Sequence, residues 1–349
     1  MDIKTLSDIC NYRKETLPSS KCDRMTFIST ENMLPNKAGV VISAKCPTYG
    51  NVSKYYPGDV LVSNIRPYFK KIYLADKEGT CSNDVLVFFP KREVCTSDFL
   101  FCLLSTDAFF AHATKTAKGT KMPRGDRSAI MGYQINWVPI NEQSGISEPI
   151  LNVYRKIKLN EKINDNLLKL WETRTRKLLD SAATTPTLIG EICRPKQWKT
   201  LTKSELTAGA PIDVYGAGGV IGQTREPNHN ERVIGVVCRG AGCGTLMVID
   251  PPSYVTGNVM CLDNITNQVG LPCLYAILKD RGLSDIVSGS AQPQITGSSI
   301  KNTYINLPNY EVCNRITKEG GQTFDMININ KRENEHLTRI RDLLLSKLF

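Results

Sequence analysis

GTKMPRGDRSAIMGYQIN, residues 119 to 136, lies over GSAQPQITGSSIKNTYIN, residues 289 to 306, at an offset of 170 positions. Gly119 pairs with Gly289, Pro123 with Pro293, Ser128 with Ser298, Ile130 with Ile300, Ile135 with Ile305 and Asn136 with Asn306. The offset persists downstream, where Asn160 pairs with Asn330, Asn164 with Asn334, Leu167 with Leu337, Leu170 with Ile340 and Lys177 with Lys347. A unit of globular domain plus long helix has therefore been duplicated. A solenoid repeats every ~20 to 50 residues, so a period this long means two modules. Two related but unlike modules suggest a protein that reads two things.

Working outward from this repeat, residues 1 to 147 show short β-rich runs between turns, such as VSKYYPGDVLVSNIRPYFKKIYLAD. Pro57-Gly58-Asp59 reads as a turn before a strand of alternating Val60, Val62 and Ile65. A helix is predicted over Ser97 to Ala111, capped by Ser97 or Thr96. QINWVPI reads as a strand. Ser147-Glu148-Pro149 reads as a helix start, with Ser as cap and Pro in the first turn. The seam Ile150, Tyr154, Ile157, Glu161, Asn164, Leu168, Trp171, Thr175, Leu178 then alternates steps of four and three, and Pro186 forbids continuation. Residues 183 to 310 repeat the first pattern. Gly320-Gly321 reads as a break, followed by a helix from about Met326 with the stripe Leu337, Ile340, Leu344 and Leu348. The expected segments are thus 1–147, a helix over 148–182, 183–310, and a linker with a second helix over 311–349. The fold class is α+β: two β-rich domains in tandem repeat, separated by two long antiparallel helices that form a coiled coil. A helix near 33 residues is ~50 Å long, longer than a small domain is wide, so it must project or act as a spacer. Asn164 and Asn334, equivalent in the repeat, are candidates to fix helix register.

Composition narrows the function. The 41% hydrophobic and 22% charged content is that of an ordinary globular chain, without an apolar run long enough to span a membrane or a leader-like start. A cytoplasmic protein is expected. The twelve cysteines form no CxxC pair and the histidines stand only at 112, 229 and 336, so neither zinc site nor disulfide framework is expected. The same scarcity of histidine leaves no catalytic triad to argue. The net charge of +10 is concentrated in the first half and is compatible with nucleic-acid binding. GAGGVIG, 216 to 222, lacks the third glycine of a dinucleotide fingerprint and reads as a tight loop. In Asp250-Pro251-Pro252-Ser253-Tyr254 a serine displaces the aromatic that an adenine methyltransferase places after its acidic-Pro-Pro, so intrinsic methyltransferase activity is not expected.

The candidate DNA contacts are Arg66, Lys70, Lys71, Lys115, Lys118, Lys121, Arg124 and Arg127 in the first module. In the second they are Arg225, Arg239, Gln292 and Gln294. Arginine reads guanine and glutamine adenine by paired hydrogen bonds, while lysine mostly contacts phosphate.

The order of FISTENMLPNKAGV (27 to 40), GDVLVSNIRPYFKKIYLAD (58 to 76), YGAGGVIG (215 to 222), VVCRGAGCGTLMVID (236 to 250) and GSAQPQI (289 to 295) around the repeat resembles the DNA-specificity subunit of type I restriction-modification enzymes. The resemblance implies two target-recognition domains, each binding half of a split, asymmetric sequence in double-stranded DNA, with the helices as ruler. It also implies docking of two methyltransferase subunits on the helices, through residues such as Ile150, Tyr154, Ile157, Asn164, Leu168, Trp171, Leu178, Asn334, Leu337, Ile340, Leu344 and Leu348. Restriction subunits would join them. S-adenosylmethionine, ATP and Mg would belong to those prokaryotic partners, with no cofactor and no catalytic residue in this chain. The rival readings are a self-sufficient DNA adenine methyltransferase and a stand-alone DNA-binding regulator.

Overall fold

The computed structural model describes residues 3–240, 242–289 and 292–349. Ala241, Ser290 and Ala291, which belong to two of the motifs above, lie outside the described residues. The chain divides into two compact units, Met1–Leu159 with Glu333–Phe349, and Asn160–Arg332. The division falls inside both long helices, so each helix gives one part to each unit.

The first unit contains a four-stranded antiparallel sheet in the order Cys10–Tyr12, Val85–Pro90, Val60–Ser63, Ile72–Leu74. A second sheet runs Thr16–Pro18, Asn51–Tyr55, Gly79–Cys81, Phe27–Ile28, its last pair parallel. Val60–Ser63 is buried on both faces. Val60 and Val62 face a core with Phe88, Phe99 and Leu100, while Leu61 packs beside Tyr55, Val85 and Val87. The second unit repeats this plan. Its four-stranded sheet runs Arg194–Gln197, Val259–Asp263, Val233–Val237, Leu246–Ile249, and its other sheet Gly219–Thr224, Ile212–Gly216, Ser253–Val255. A two-strand antiparallel clasp closes each unit: Ile3–Thr5 on Gln134–Asn136, and Thr184–Leu188 on Tyr304–Pro308.

Several expected elements shift. The helix expected over Ser97 to Ala111 is two helices, Ser97–Leu104 and Asp107–Lys115. Thr96 caps the first as expected, and Thr106, accepting from the Phe109 N–H at 3.2 Å, caps a second start that breaks the run. QINWVPI is strand only over Gln134–Asn136.

The first long helix spans Ile140–Ser181, starting eight residues before the expected 148, with Pro149 in its interior. Buried Gln143 holds the added turns by accepting from the Thr96 N–H at 2.9 Å and donating to the Val94 and Val138 carbonyls. Ser147 does not cap; its hydroxyl donates to the Gln143 carbonyl. Proline in a helix leaves the carbonyl four residues back unpaired, here exposed Gly145, which water can satisfy. The second long helix spans Tyr310–Leu348 and runs unbroken through Gly320 and Gly321. There is no linker over 311–325. An alanine Cβ at Gly320 would come within 2.5 Å of Pro272 and 2.9 Å of Trp171, so glycine here permits close packing instead of ending the helix.

The helices pack antiparallel within each unit. In the first, Lys156 pairs with Glu333, Asn334 donates to the Ile157 carbonyl, and Leu345 shares a core with Ile150 and Leu151. Lys37, buried, links Asp107 at 3.1 Å and Asp342 at 2.9 Å. In the second, Asn330 donates to Asn164 at 2.7 Å and Trp171 packs against Phe324 at 5.1 Å. The seam differs in detail from the expected one. Asn160 is buried where Glu161 was expected, and Arg341 and Leu345 are buried where Ile340 and Leu344 were. Ile340 and Leu348 are 47% and 40% exposed, which takes both off the packed stripe. Asn164 and Asn334 bond to different groups, because antiparallel packing does not set repeat equivalents opposite each other.

Candidate nucleic-acid interface

In the first unit the buried strand Val60–Ser63 runs out into Asn64, Ile65 and Arg66, and a second segment docks on that exit. The Gly125 N–H donates to the Asn64 carbonyl at 3.1 Å, Ile65 bridges Arg124, and the Arg66 N–H donates to the Pro123 carbonyl at 2.8 Å. Lys118 and Arg124 exchange both backbone hydrogen bonds, at 2.8 and 2.9 Å, closing a hairpin over 119–123. Asp126 then caps the helix Arg127–Met131 by accepting from the Ser128 and Ala129 N–H groups. Lys118, Lys121, Arg124 and Arg66 therefore meet around one hairpin.

The second unit builds the same device. The Ile295 N–H donates to the Cys238 carbonyl at 3.0 Å, Arg239 bridges Gln294, and the Gly240 N–H donates to the Pro293 carbonyl at 3.2 Å. Ser288 and Gln294 exchange both backbone bonds, at 2.9 and 2.8 Å, and Thr296 caps the helix Gly297–Lys301. Gly119 and Gly289 take positive φ of 94° and 85°, a conformation that side chains resist, at matching places beside the hairpin closure. By these bonds Gln294 stands where Arg124 stands, and Arg239 where Ile65 stands. The strand-exit arginine of the first unit, Arg66, has Gly240 as its counterpart.

The side chains of the first hairpin are oriented by acids. Lys118 meets Asp126 at 2.5 Å and Arg124 meets Asp84 at 3.1 Å, both cations more than half exposed. The Lys118 contact and two backbone N–H groups hold the Asp126 carboxyl below its usual range. Arg66, in a left-handed conformation with φ 50°, donates to the Lys121 carbonyl at 3.4 Å. Arg127 is exposed beside the hairpin, its guanidinium over the Tyr12 ring at 6.0 Å and donating to the Asn83 carbonyl. Lys115 and Lys121 are exposed and carry no ion pair among the described residues.

Other predicted contacts are placed elsewhere. Lys70 is paired with Asp107 at 2.9 Å. Lys71 is half-buried and donates to the Thr30 carbonyl at 2.6 Å, and burial lowers its pKa. Arg225 is exposed just past Gly219–Thr224, on the other sheet from Arg239. Gln292 and Gln294 are exposed at the second hairpin. Sequence reasoning passed over Tyr68 and Phe69, 48% and 38% exposed with rings 4.7 Å apart, on the turn that follows Arg66. Exposed aromatics beside cations suit stacking on bases, and the run NIRPYFKK held that signal.

The two decoy motifs have structural roles. Gly216 and Gly219 face each other across a tight hairpin turn. Asp250 is engaged by Arg232 at 2.7 Å, and the Tyr254 hydroxyl donates to the Lys199 carbonyl. Among the described residues, no helix is long and apolar enough to cross a membrane.

Residues 1–169 and 186–339 match the family described as the type I restriction modification DNA specificity domain. The chain is 26% identical over 129 residues to the specificity subunit of the type I restriction enzyme EcoDI of Escherichia coli, covering 37% of this chain and 28% of that protein. It is 25% identical over 226 residues to a protein described as a type I specificity subunit in Mycoplasma genitalium, covering 60% and 57%. These matches span well under two thirds of either relative. The crystal structure of a type I restriction-modification S subunit from M. genitalium has the same fold, with a TM-score of 0.65 at 18% identity, covering 100% of this chain and 96% of that one.

Proposed function

The chain belongs to the type I restriction-modification DNA specificity family, and on that premise we propose that it is the subunit that reads a bipartite, asymmetric DNA target. It directs methyltransferase and restriction subunits to that target in the prokaryotic cytoplasm, and they carry S-adenosylmethionine, ATP and Mg. The chain itself performs no covalent chemistry.

The observation that carries this reading is the hairpin on the strand exit, built by the same backbone bonds in both units but dressed differently. Arg124 and Gln294 occupy equivalent places, and these side chains favour guanine and adenine respectively by paired hydrogen bonds. One scaffold with two readers gives two unlike half-sites. The remaining cations of the first unit, Lys115, Lys118, Lys121 and Arg127, supply phosphate contacts that fix register. Arg225 and Arg239 do so in the second.

Long-read mapping of adenine methylation in the source cell, with and without this gene, tests the reading. The expected result is loss of one split, asymmetric motif on deletion. A methylome unchanged by deletion, together with no binding of the purified complex to DNA, overturns it.

A further inference from the structure

We propose that His229, Cys261 and Asp263 form a site for a thiophilic divalent cation, zinc being the type, which braces the segment around His229 against the sheet of the second unit. The strand Val259–Asp263 alternates its side chains, so Cys261 and Asp263 leave it on one face. His229 approaches from the segment after Gly219–Thr224, pairing backbone to backbone with Ser253. A ring nitrogen of His229, the Cys261 Sγ and a carboxylate oxygen of Asp263 all lie within 4.8 Å of one another. Zinc bonds of ~2.0 to 2.3 Å set ligand atoms about 3 to 4 Å apart, so a shift of roughly 1 Å closes the cage.

The hydrogen bonds around His229 decide what its ring offers. Asn228 is oriented by Val255, whose N–H donates to Oδ1 at 2.9 Å and whose carbonyl accepts from Nδ2 at 3.0 Å. That fixed Oδ1 stands 2.7 Å from His229 Nδ1, so Nδ1 carries a proton. A ligating histidine is oriented in just this way, its second nitrogen donating to a fixed oxygen. Nε2 then turns toward the Asp263 carboxylate at 3.1 Å. A cation between them would satisfy both.

Cys261, fully buried, supplies the third ligand atom. Cys261 would bind as the thiolate, its proton passing to solvent as the metal takes its place. The dication with one thiolate, one carboxylate and a neutral imidazole is then uncharged overall, as a buried site needs. Ser253, paired with His229 through the backbone, has a buried Oγ without a hydrogen-bond partner among the described residues. The site does not depend on the DNA reading.

The full chain, stripped with a chelator and titrated with Co2+, is expected to take up one equivalent with thiolate-to-cobalt absorption in the near ultraviolet and a raised melting temperature. Cys261→Ser and His229→Gln should lose both, while Cys243→Ser, which removes a half-exposed thiol, should keep them. Anomalous diffraction at the zinc edge, from wild-type crystals grown with Zn2+, locates the ion without relying on a variant. Absence of uptake, absorption that survives Cys261→Ser, or zinc density away from His229 overturns the proposal and leaves the His229–Asp263 contact as a hydrogen bond alone.

Discussion

At the scale of residues, the proposed reading assigns base contacts to Arg124 and Gln294 on the two hairpins and phosphate contacts to the surrounding lysines. Arg124 projects from a rigid backbone pairing and is steadied by Asp84, which presets a planar guanidinium for two hydrogen bonds. Arg124→Ala should weaken binding of the cognate site by about 1 to 3 kcal/mol and relax specificity at one position of one half-site. Lys121→Ala should instead weaken all sequences alike and lower the salt dependence of binding by about one phosphate contact. Fluorescence-anisotropy titrations of the assembled complex over a salt series distinguish the two. Uniform loss on Arg124→Ala would move that side chain to the phosphate class. Gln294→Ala should act only on the other half-site.

At the scale of elements, adjacent glycines predict opposite outcomes within one helix. Gly321 meets nothing within 4 Å of an added Cβ, so Gly321→Ala should stabilise by about 0.5 to 1 kcal/mol through helix propensity. Gly320→Ala drives the Cβ into Trp171 and Pro272 and should destabilise by about 1 to 3 kcal/mol despite the same gain. Denaturant melts of both variants check the sign, and equal shifts would show that packing at Trp171 is loose. The Asn164–Asn330 bond supplies a second case. A polar pair on a helix seam fixes register at a cost in stability. Replacing both by leucine should raise the melting temperature, and a fall would mean that the hydrogen bond outweighs the apolar gain.

At the scale of the whole molecule, duplication with divergence predicts independence of the half-sites. Exchanging residues 1 to 147 for the corresponding segment of a relative should change one half-site in the methylome and leave the other intact; change in both would end the modular reading. Helices of 42 and 39 residues are about 63 and 58 Å long at 1.5 Å per residue. One added heptad in each adds about 10 Å, so the gap between half-sites should widen by roughly three base pairs at 3.4 Å each. An unchanged gap would refute the ruler.

The repeat, the α+β class, the two heptad helices and the loops that carry the basic residues were legible from residue order, because duplication and periodicity are written in local spacing. Tertiary structure decided where those helices begin and end. Pro149 looked like a first-turn proline until Gln143 tied the preceding turns to Val94 and Thr96, and Gly320 looked like a break until Trp171 needed the space. It also chose Asn160 over Glu161 and Leu345 over Leu344 for the seam, since the facing surface determines which neighbour of an apolar stripe is covered. The pairing of Arg124 with Ile65 and of Gln294 with Arg239, and the meeting of His229 with Cys261 and Asp263, join segments tens of residues apart in chain order. Residue spacing determines the period of a helix and the offset of a repeat, while contacts between distant segments arise only when those segments are packed into one core.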